Sequence, residues 1–390
     1  MTDLDMRERR PLLSRPMVLL LMASFGSLMS FYLLVSVVPL YAAAGGAGDM
    51  GAGLSTSAMM LATVLVELAV PGLLGRYGYR AGMALGLLLL GAPSAVLAWS
   101  SALPLVLAAC LARGAGLGIV VVAGPALVAE LVPAERRGEG LGMYGVAVGV
   151  PAIVGLPLGL WLSVRVGYGP VFAAGAAVSL VTLAVVSGLP SRQGPIGRQT
   201  RVLGLLRDRR LNRPTMIFAA ITLAAGVLLT FLPLAVSAGS RDMAALALLV
   251  QASTMPLARW LGGRYGDGHG SSRLLLPSVL TAAVGMAGLV WLHHSYAVIA
   301  GAALFGIGFG AAQNVTLSLM FERTPKSEFG RVSALWNLAY DGGMGIGAAG
   351  FGLTAGAVGY PAGFGLTAAV LFAALVPAWL DLHDGGKHER

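Results

Sequence analysis

Charge is what this 390-residue chain has least of: 11% of its residues are Asp, Glu, Lys or Arg, against 57% hydrophobic, where soluble domains are about 25% charged. So little polar surface excludes a water-soluble globule. Cysteine is nearly missing too. Cys110 stands alone inside an apolar run, which excludes both a disulfide framework and a cysteine-based metal site. The five histidines, His269, His293, His294, His383 and His388, fall in connections or the tail, so no histidine cluster sits inside an apolar run. There is no Gly-x4-Gly-Lys-Ser/Thr phosphate loop, no His-Glu-x2-His, no aspartate pair suited to an intramembrane protease and no nucleophile elbow. Enzymatic and nucleotide-driven readings therefore have nothing to stand on, and no cofactor or metal is expected.

What the chain has in quantity is apolar helix and glycine. A bilayer core of about 30 Å takes roughly 20 apolar residues per helix. Runs of that length number twelve, near 17–42, 53–75, 81–100, 102–129, 140–163, 170–189, 214–237, 243–263, 274–292, 295–320, 332–355 and 361–381. The first is longer than a signal-peptide core and reads as a retained span. The 56 glycines suit helices that approach closely in lipid. The expected fold is an all-α polytopic membrane protein with twelve transmembrane helices in two pseudo-symmetric six-helix bundles.

The net charge of +9 is a topology signal. Arg7, Arg9, Arg10 and Arg15 precede the first span, and Arg76 and Arg80 follow the second. Arg136 and Arg137 follow the fourth, Arg192 to Arg213 the sixth, Arg264 and Arg273 the eighth, and Arg323, Lys326 and Arg331 the tenth, while Lys387 and Arg390 close the chain. The opposite loops offer only Arg165 and Arg241. By the positive-inside rule this implies a multi-pass cell-membrane protein with both termini cytoplasmic, and no nucleic-acid partner. The long polar connection divides the chain into an N-terminal bundle (1–190), a cytoplasmic linker (191–213) and a C-terminal bundle with a short tail (214–390). A short amphipathic helix is expected around Val202–Leu206 on the inner leaflet.

The halves repeat. Gly75-Arg76-Tyr77-Gly78 returns as Gly263-Arg264-Tyr265-Gly266, and at a shift of 192 residues Glu130 meets Glu322, Pro133 meets Pro325, Gly155 meets Gly347 and Gly167-Tyr168 meets Gly359-Tyr360. Six spans separate each pair, so both halves have the same orientation, related by an axis along the membrane normal.

These residues resemble the major facilitator superfamily over essentially the whole chain. Arg76, Gly78 and Arg80 look like that family's loop 2–3 signature, with Pro71 at its usual first glycine and Gly75 at its aspartate. Arg113-Gly114-Ala115-Gly116 looks like its intramembrane arginine followed by glycines. Gly145, Gly149, Pro151, Gly155 and Gly159, with Pro157, resemble a loosened form of the glycine/proline motif associated with antiporters. The resemblance implies a secondary transporter working by alternating access on a small molecule, with protons as the coupling ion and lipid around a monomer. It also implies a cytoplasmic gate at Arg76, Gly78 and Arg80 and at Arg264 and Gly266. Glu130 with Arg137, and Glu322 with Arg331, are expected as ion-pair latches beside it.

Ionisable groups deep in apolar helices cost about 2.5–3.5 kcal/mol on insertion scales, so each is a functional candidate. Glu67 and Asp341 lie roughly 13 and 15 Å from their arginine-bearing ends, on spans two and eleven, which face each other in the resembled fold. Either could bind and release a proton as its exposure changes, or bind a substrate cation; the plainer role is a neutral acid packed against Trp336 or Asn337. Arg113 could neutralise a nearby carboxylate, pair with an anionic substrate, or form a structural ion pair. Gln313, Asn314 and Gln251 are candidate cavity polar groups, with interhelical bonding the alternative. Arg259, close to the eighth span's end, is expected to snorkel. Proton-coupled efflux of a small hydrophobic or drug-like molecule is the first functional expectation, on the premise of a glycine-rich fifth span and an apolar, charge-poor cavity. Uptake of a polar solute such as a sugar or organic acid, or a transport-inactive sensor, are the alternatives.

Overall fold

The computed structural model describes residues 13–133, 136–191, 202–325 and 328–385. Arg7, Arg9, Arg10, Arg192, Arg198, Arg201, Lys326, Lys387 and Arg390 of the charge pattern lie outside the described residues. The described elements are helical because backbone groups in lipid must find their partners within the segment. They are α1 (Arg15–Leu34), α2 (Val37–Ala42), α3 (Gly48–Val96), α4 (Leu103–Leu131), α5 (Arg137–Val166), α6 (Tyr168–Val186), α7 (Arg209–Ala235), α8 (Arg241–His269), α9 (Ser272–Gly288), α10 (Ser295–Glu322), α11 (Phe329–Val358), α12 (Tyr360–Ala373) and α13 (Leu375–Gly385).

Eight continuous segments of the described residues are long and apolar enough to cross a bilayer, the first running 82 residues from Arg15 to Val96. That segment holds three passes, broken where Gly46 (φ 98°) and Gly78 (φ 82°) take backbone angles only glycine adopts freely. With the shorter α9 and with α11, and counting the α12–α13 stretch as the eighth segment, the described residues make twelve passes in two bundles of six, as expected. Three details differ. The segment at Val202–Arg207 is a 3-10 helix rather than an amphipathic α-helix. The last span is interrupted at Ala374, and α8 runs on to His269, six residues past its expected end.

The last difference bears on the repeat. Gly78 turns the chain at φ 82°, and its structural counterpart is Gly270 at φ 87°, 192 residues on. Gly266 lies inside α8. The Gly-Arg-Tyr-Gly stretches are therefore one helical turn out of register, and Gly266 is corrected from a gate-loop residue to a helical one. The shift of 192 holds elsewhere: Gly167 and Gly359 both have positive φ. Gly114 and Gly118 lie against the Met59 and Thr63 carbonyls, and Gly306 and Gly310 meet Gln251 and Met255 in the same way. Glycine at these crossings lets backbones touch.

Between the bundles, α3 packs along α11 and α5 along α8. The seam is sealed at the end away from Arg76. Arg165 forks onto Asp242 at 2.9 and 3.3 Å, and Tyr360 Oη donates to Asp49. Deeper in, Ser36 Oγ donates to the Leu229 carbonyl (2.8 Å), Thr56 and Thr230 hydroxyls meet at 3.0 Å, and Ser57 Oγ donates to the Gly345 carbonyl (2.7 Å).

Candidate functional site

Below that seal, the two bundles bring ionisable groups from four helices together. Glu67 on α3 and Asp341 on α11 lie within hydrogen-bonding reach of each other across the seam. Asp341 is buried and Glu67 half-buried, and Glu67 Oε1 has no hydrogen-bond donor. Two carboxyl oxygens facing each other are both acceptors when ionised. They can hold this arrangement only by sharing a proton, as like charges in one site cannot both ionise cheaply.

Arg259 completes the group. With α8 running to His269, it lies ten residues, roughly 15 Å, from the helix end, and the snorkelling expectation is corrected: its Nη1 donates to Gln313 Oε1 on α10 at 3.2 Å. Its charge also acts on the phenols of Tyr32 and Tyr340. Arg259 stands 192 residues after Glu67, so it is that acid's counterpart in the second half. The seam on the far side of this group is closed by the Ser57–Gly345 and Arg165–Asp242 bonds.

An aromatic cluster packs inside the second bundle, with Phe218, Phe309 and Trp336 buried. Phe218 and Trp336 stack with centroids 4.4 Å apart, and Tyr340 sits 5.9 Å from each. Phe309 lies 5.9 Å from Tyr340. Trp336 Nε1 donates to Thr316 Oγ1 at 3.1 Å, so the indole is fixed and is not Asp341's partner.

The other candidates sit apart. Arg113 is buried with no carboxylate beside it: it donates to the Leu90 carbonyl (2.8 Å), to Ser94 Oγ and to the Ser30 carbonyl (3.2 Å). It tethers α4 to α3 and α1 instead of neutralising an acid. The adjoining pocket, lined by Leu34, Met59, Cys110 and Arg113 among others, has about 10 Å³ of water-accessible space, room for one water at most. Of the polar candidates, Gln313 joins the central group. Asn314 lies against Gly263 in the α8–α10 seam, and the backbone of buried Gln251 abuts Gly306.

At the basic end the latches are built differently from the expectation. Glu130 accepts from Tyr79 Oη (2.6 Å) and Glu322 from Ser271 Oγ (2.8 Å), the same bond 51 residues apart in each half. The arginines beside them bond as follows: Arg137 to the Ala129 carbonyl (3.0 Å), Arg331 to Glu328 (3.0 Å) and Arg323 to Asp381 (2.6 Å). Arg80 donates to the Leu189 carbonyl, and the guanidinium groups of Arg76 and Arg264 lie over the rings of Tyr77 and Trp260. In the glycine/proline motif, Gly155 and Gly159 pack on the α1 backbone at Tyr32 and Leu33, and Pro151 is buried. Gly145 and Gly149 face open space, so the packing role is corrected for those two.

Twelve helices in two like-oriented bundles, with ionisable groups gathered at the seam between them, is the architecture this geometry defines. The sequence profile of the Major Facilitator Superfamily matches residues 20–253 and 215–389, and the chain belongs to that family. It is an MFS transporter. No curated protein sequence matches it. Among solved structures, a mutant of the nucleoside transporter NupG aligns with TM-score 0.76 at 11% identity, over 94% of this chain and 99% of its own. A D-xylose-proton symporter aligns at 0.77 and 16% identity (92% and 96%), and an inward open conformation of the xylose transporter XylE from E. coli at 0.74 and 15% (93% and 95%). At these identities the likeness is one of fold.

Proposed function

We propose that this chain couples transport of a small molecule to protons, with Glu67 and Asp341 as the proton-carrying pair and alternating access between the two bundles. The observation that supports this is the facing of two carboxyl groups from opposite bundles with no donor between them. Separating the bundles breaks the shared hydrogen bond, and each acid then finds its own proton from water. The proton affinity of the pair is thereby tied to the conformational change.

The cargo reading shifts from efflux towards uptake with protons. The efflux expectation rested on a glycine-rich fifth span and a charge-poor centre, and Arg259 with Gln313 argues against the second of these. Of the three solved structures above, the one whose name includes a coupling ion is a D-xylose-proton symporter, which agrees. Efflux keeps one supporting feature, the glycine-rich fifth span.

The test is an accumulation and toxicity screen in a host stripped of its own pumps, with and without a protonophore. Compounds handled by the protein should lose their changed accumulation with the protonophore and in Asp341→Asn and Glu67→Gln, while both variants remain in the membrane. Protonophore-resistant transport, or full activity in both variants, would end the proposal.

A further inference from the structure

We infer that a polar cavity at the sealed end of the second bundle is an accessory site for a small neutral, hydroxyl-rich molecule, and that its occupant holds that end shut through Tyr360. The inference goes beyond the transport reading above and does not rest on it. The cavity has about 260 Å³ of open space, close to the roughly 300 Å³ at which small-molecule sites begin; the pocket beside Arg113 has about 10 Å³. Every residue lining it falls between 235 and 361. It therefore belongs to one bundle alone and is distinct from the seam, where a cargo passes between the two. His293 and Ser295, in the connection from α9 to α10, are exposed, so an occupant reaches it from water without the bundles parting.

The lining defines the class of occupant. Ser237, Ser240 and Ser295, the His293 ring and the Tyr360 phenol supply groups that both donate and accept hydrogen bonds. The Ser237 and Ser240 hydroxyls meet at 3.0 Å, which leaves the pair one proton to give and lone pairs to accept with. Val236, Met243, Leu292 and Pro361 add apolar surface. No Asp, Glu, Lys or Arg is among the lining residues, so a charged molecule would lose water there without gaining a counter-ion. Hydroxyls carried on a compact carbon frame match both kinds of surface: the hydroxyls exchange bonds with the serines, and the C–H faces cover the apolar side chains.

Tyr360 joins this cavity to the seal. It is the first residue of α12, directly after Gly359 at φ 78°. Its side chain is part of the cavity lining, and its Oη donates to Asp49 of the first bundle. An occupant packed against Tyr360 restrains the phenol where it reaches Asp49. It therefore binds the closed state more tightly than the open one, and that difference in affinity is what shifts the gate towards closed.

The experiment uses the purified full-length protein and four probes of one chain length: sorbitol, hexane-1,6-diol, gluconate and N-methylglucamine. Sorbitol should bind at least tenfold more tightly than the sparsely hydroxylated diol, the anion or the cation. Ser240→Phe and Ser295→Phe, which each put a ring into the cavity, should abolish that binding, with thermal unfolding checking the fold. Sorbitol should also slow maleimide labelling of a single cysteine placed at Thr230, in the seal, in a Cys110→Ala background. Tyr360→Phe, which keeps the ring but cannot bond Asp49, should retain sorbitol binding and lose the slowing. Equal affinity for all four probes, binding of none, or a preference for either charged probe overturns the inference. So does sorbitol binding unchanged in both filled variants, or labelling that bound sorbitol leaves unaltered or speeds. Glu67→Gln keeps the two readings apart: sorbitol binding intact in that variant supports a site independent of the acid pair, whatever becomes of proton coupling, and binding lost with it places the occupant at the seam and overturns the inference.

Discussion

Glu67 and Asp341 are ordinary acids made unusual by having each other as the nearest polar partner. Replacing one with its amide supplies an N–H donor to the remaining oxygen, so Glu67→Gln should fold as well as the wild type while losing at least tenfold in proton-driven flux. Thermal unfolding and flux under an imposed pH gradient, measured on the same preparation, check both halves of that statement. A second residue-scale expectation concerns the repeated Tyr79–Glu130 and Ser271–Glu322 bonds. Removing a donor to a charged acceptor costs about 1.5–3 kcal/mol, so Tyr79→Phe and Ser271→Ala should lower the unfolding temperature by similar amounts. A neutral Tyr79→Phe beside a damaging Ser271→Ala would show that the bonds are not equivalent. The sequence exposed Glu67 and Asp341 because a carboxylate in an apolar run is conspicuous. Tyr32, Tyr340 and Phe218 were not legible, since an aromatic residue on an apolar helix looks the same whether it faces lipid, core or cavity.

Among the elements, α8 teaches most. Its apolar run fades at Gly262 and Gly263, which reads as an ending, yet the helix continues to the left-handed Gly270. That one error hid Arg259, because a short α8 puts the side chain within reach of its end. Counting 192 residues on from Glu67 would have found it, since the shift was already visible in Glu130 and Glu322. Substitutions at the turns check the assignment. Gly78→Ala and Gly270→Ala force a side chain into a glycine-only backbone region at about 1–3 kcal/mol each. Gly266→Ala, whose added methyl would sit 3.3 Å from Ser271 Oγ, should cost little, and thermal unfolding of the three variants ranks them. On α5, Gly159→Ala drives a methyl into the Leu33 carbonyl and should sharply reduce the folded yield. Gly145→Ala meets nothing and should leave it unchanged. The twelve passes themselves were legible because length and hydropathy are the quantities a bilayer selects.

At the scale of the molecule, the seal joins the bundles through exposed pairs at its rim, Arg165–Asp242 above all, and through hydroxyl-to-carbonyl bonds below it. An exposed ion pair contributes about 0.2–1 kcal/mol, so Asp242→Asn combined with Asp49→Asn should raise opening at that end only a few-fold. Maleimide labelling of a single cysteine at Thr230, in a Cys110→Ala background, would register the change; unaltered labelling would place the seal wholly in the inner bonds. Which bundle faces meet was set by tertiary packing and stood outside the reach of composition or charge counting.

The counterpart relation between Glu67 and Arg259 has an electrical consequence. The first half carries an acid at this depth and the second an arginine, with Asp341 on α11 a second acid on the arginine's side. With one proton shared between them, the two acids carry a single negative charge that the arginine offsets, so the central group as a whole is electrically neutral.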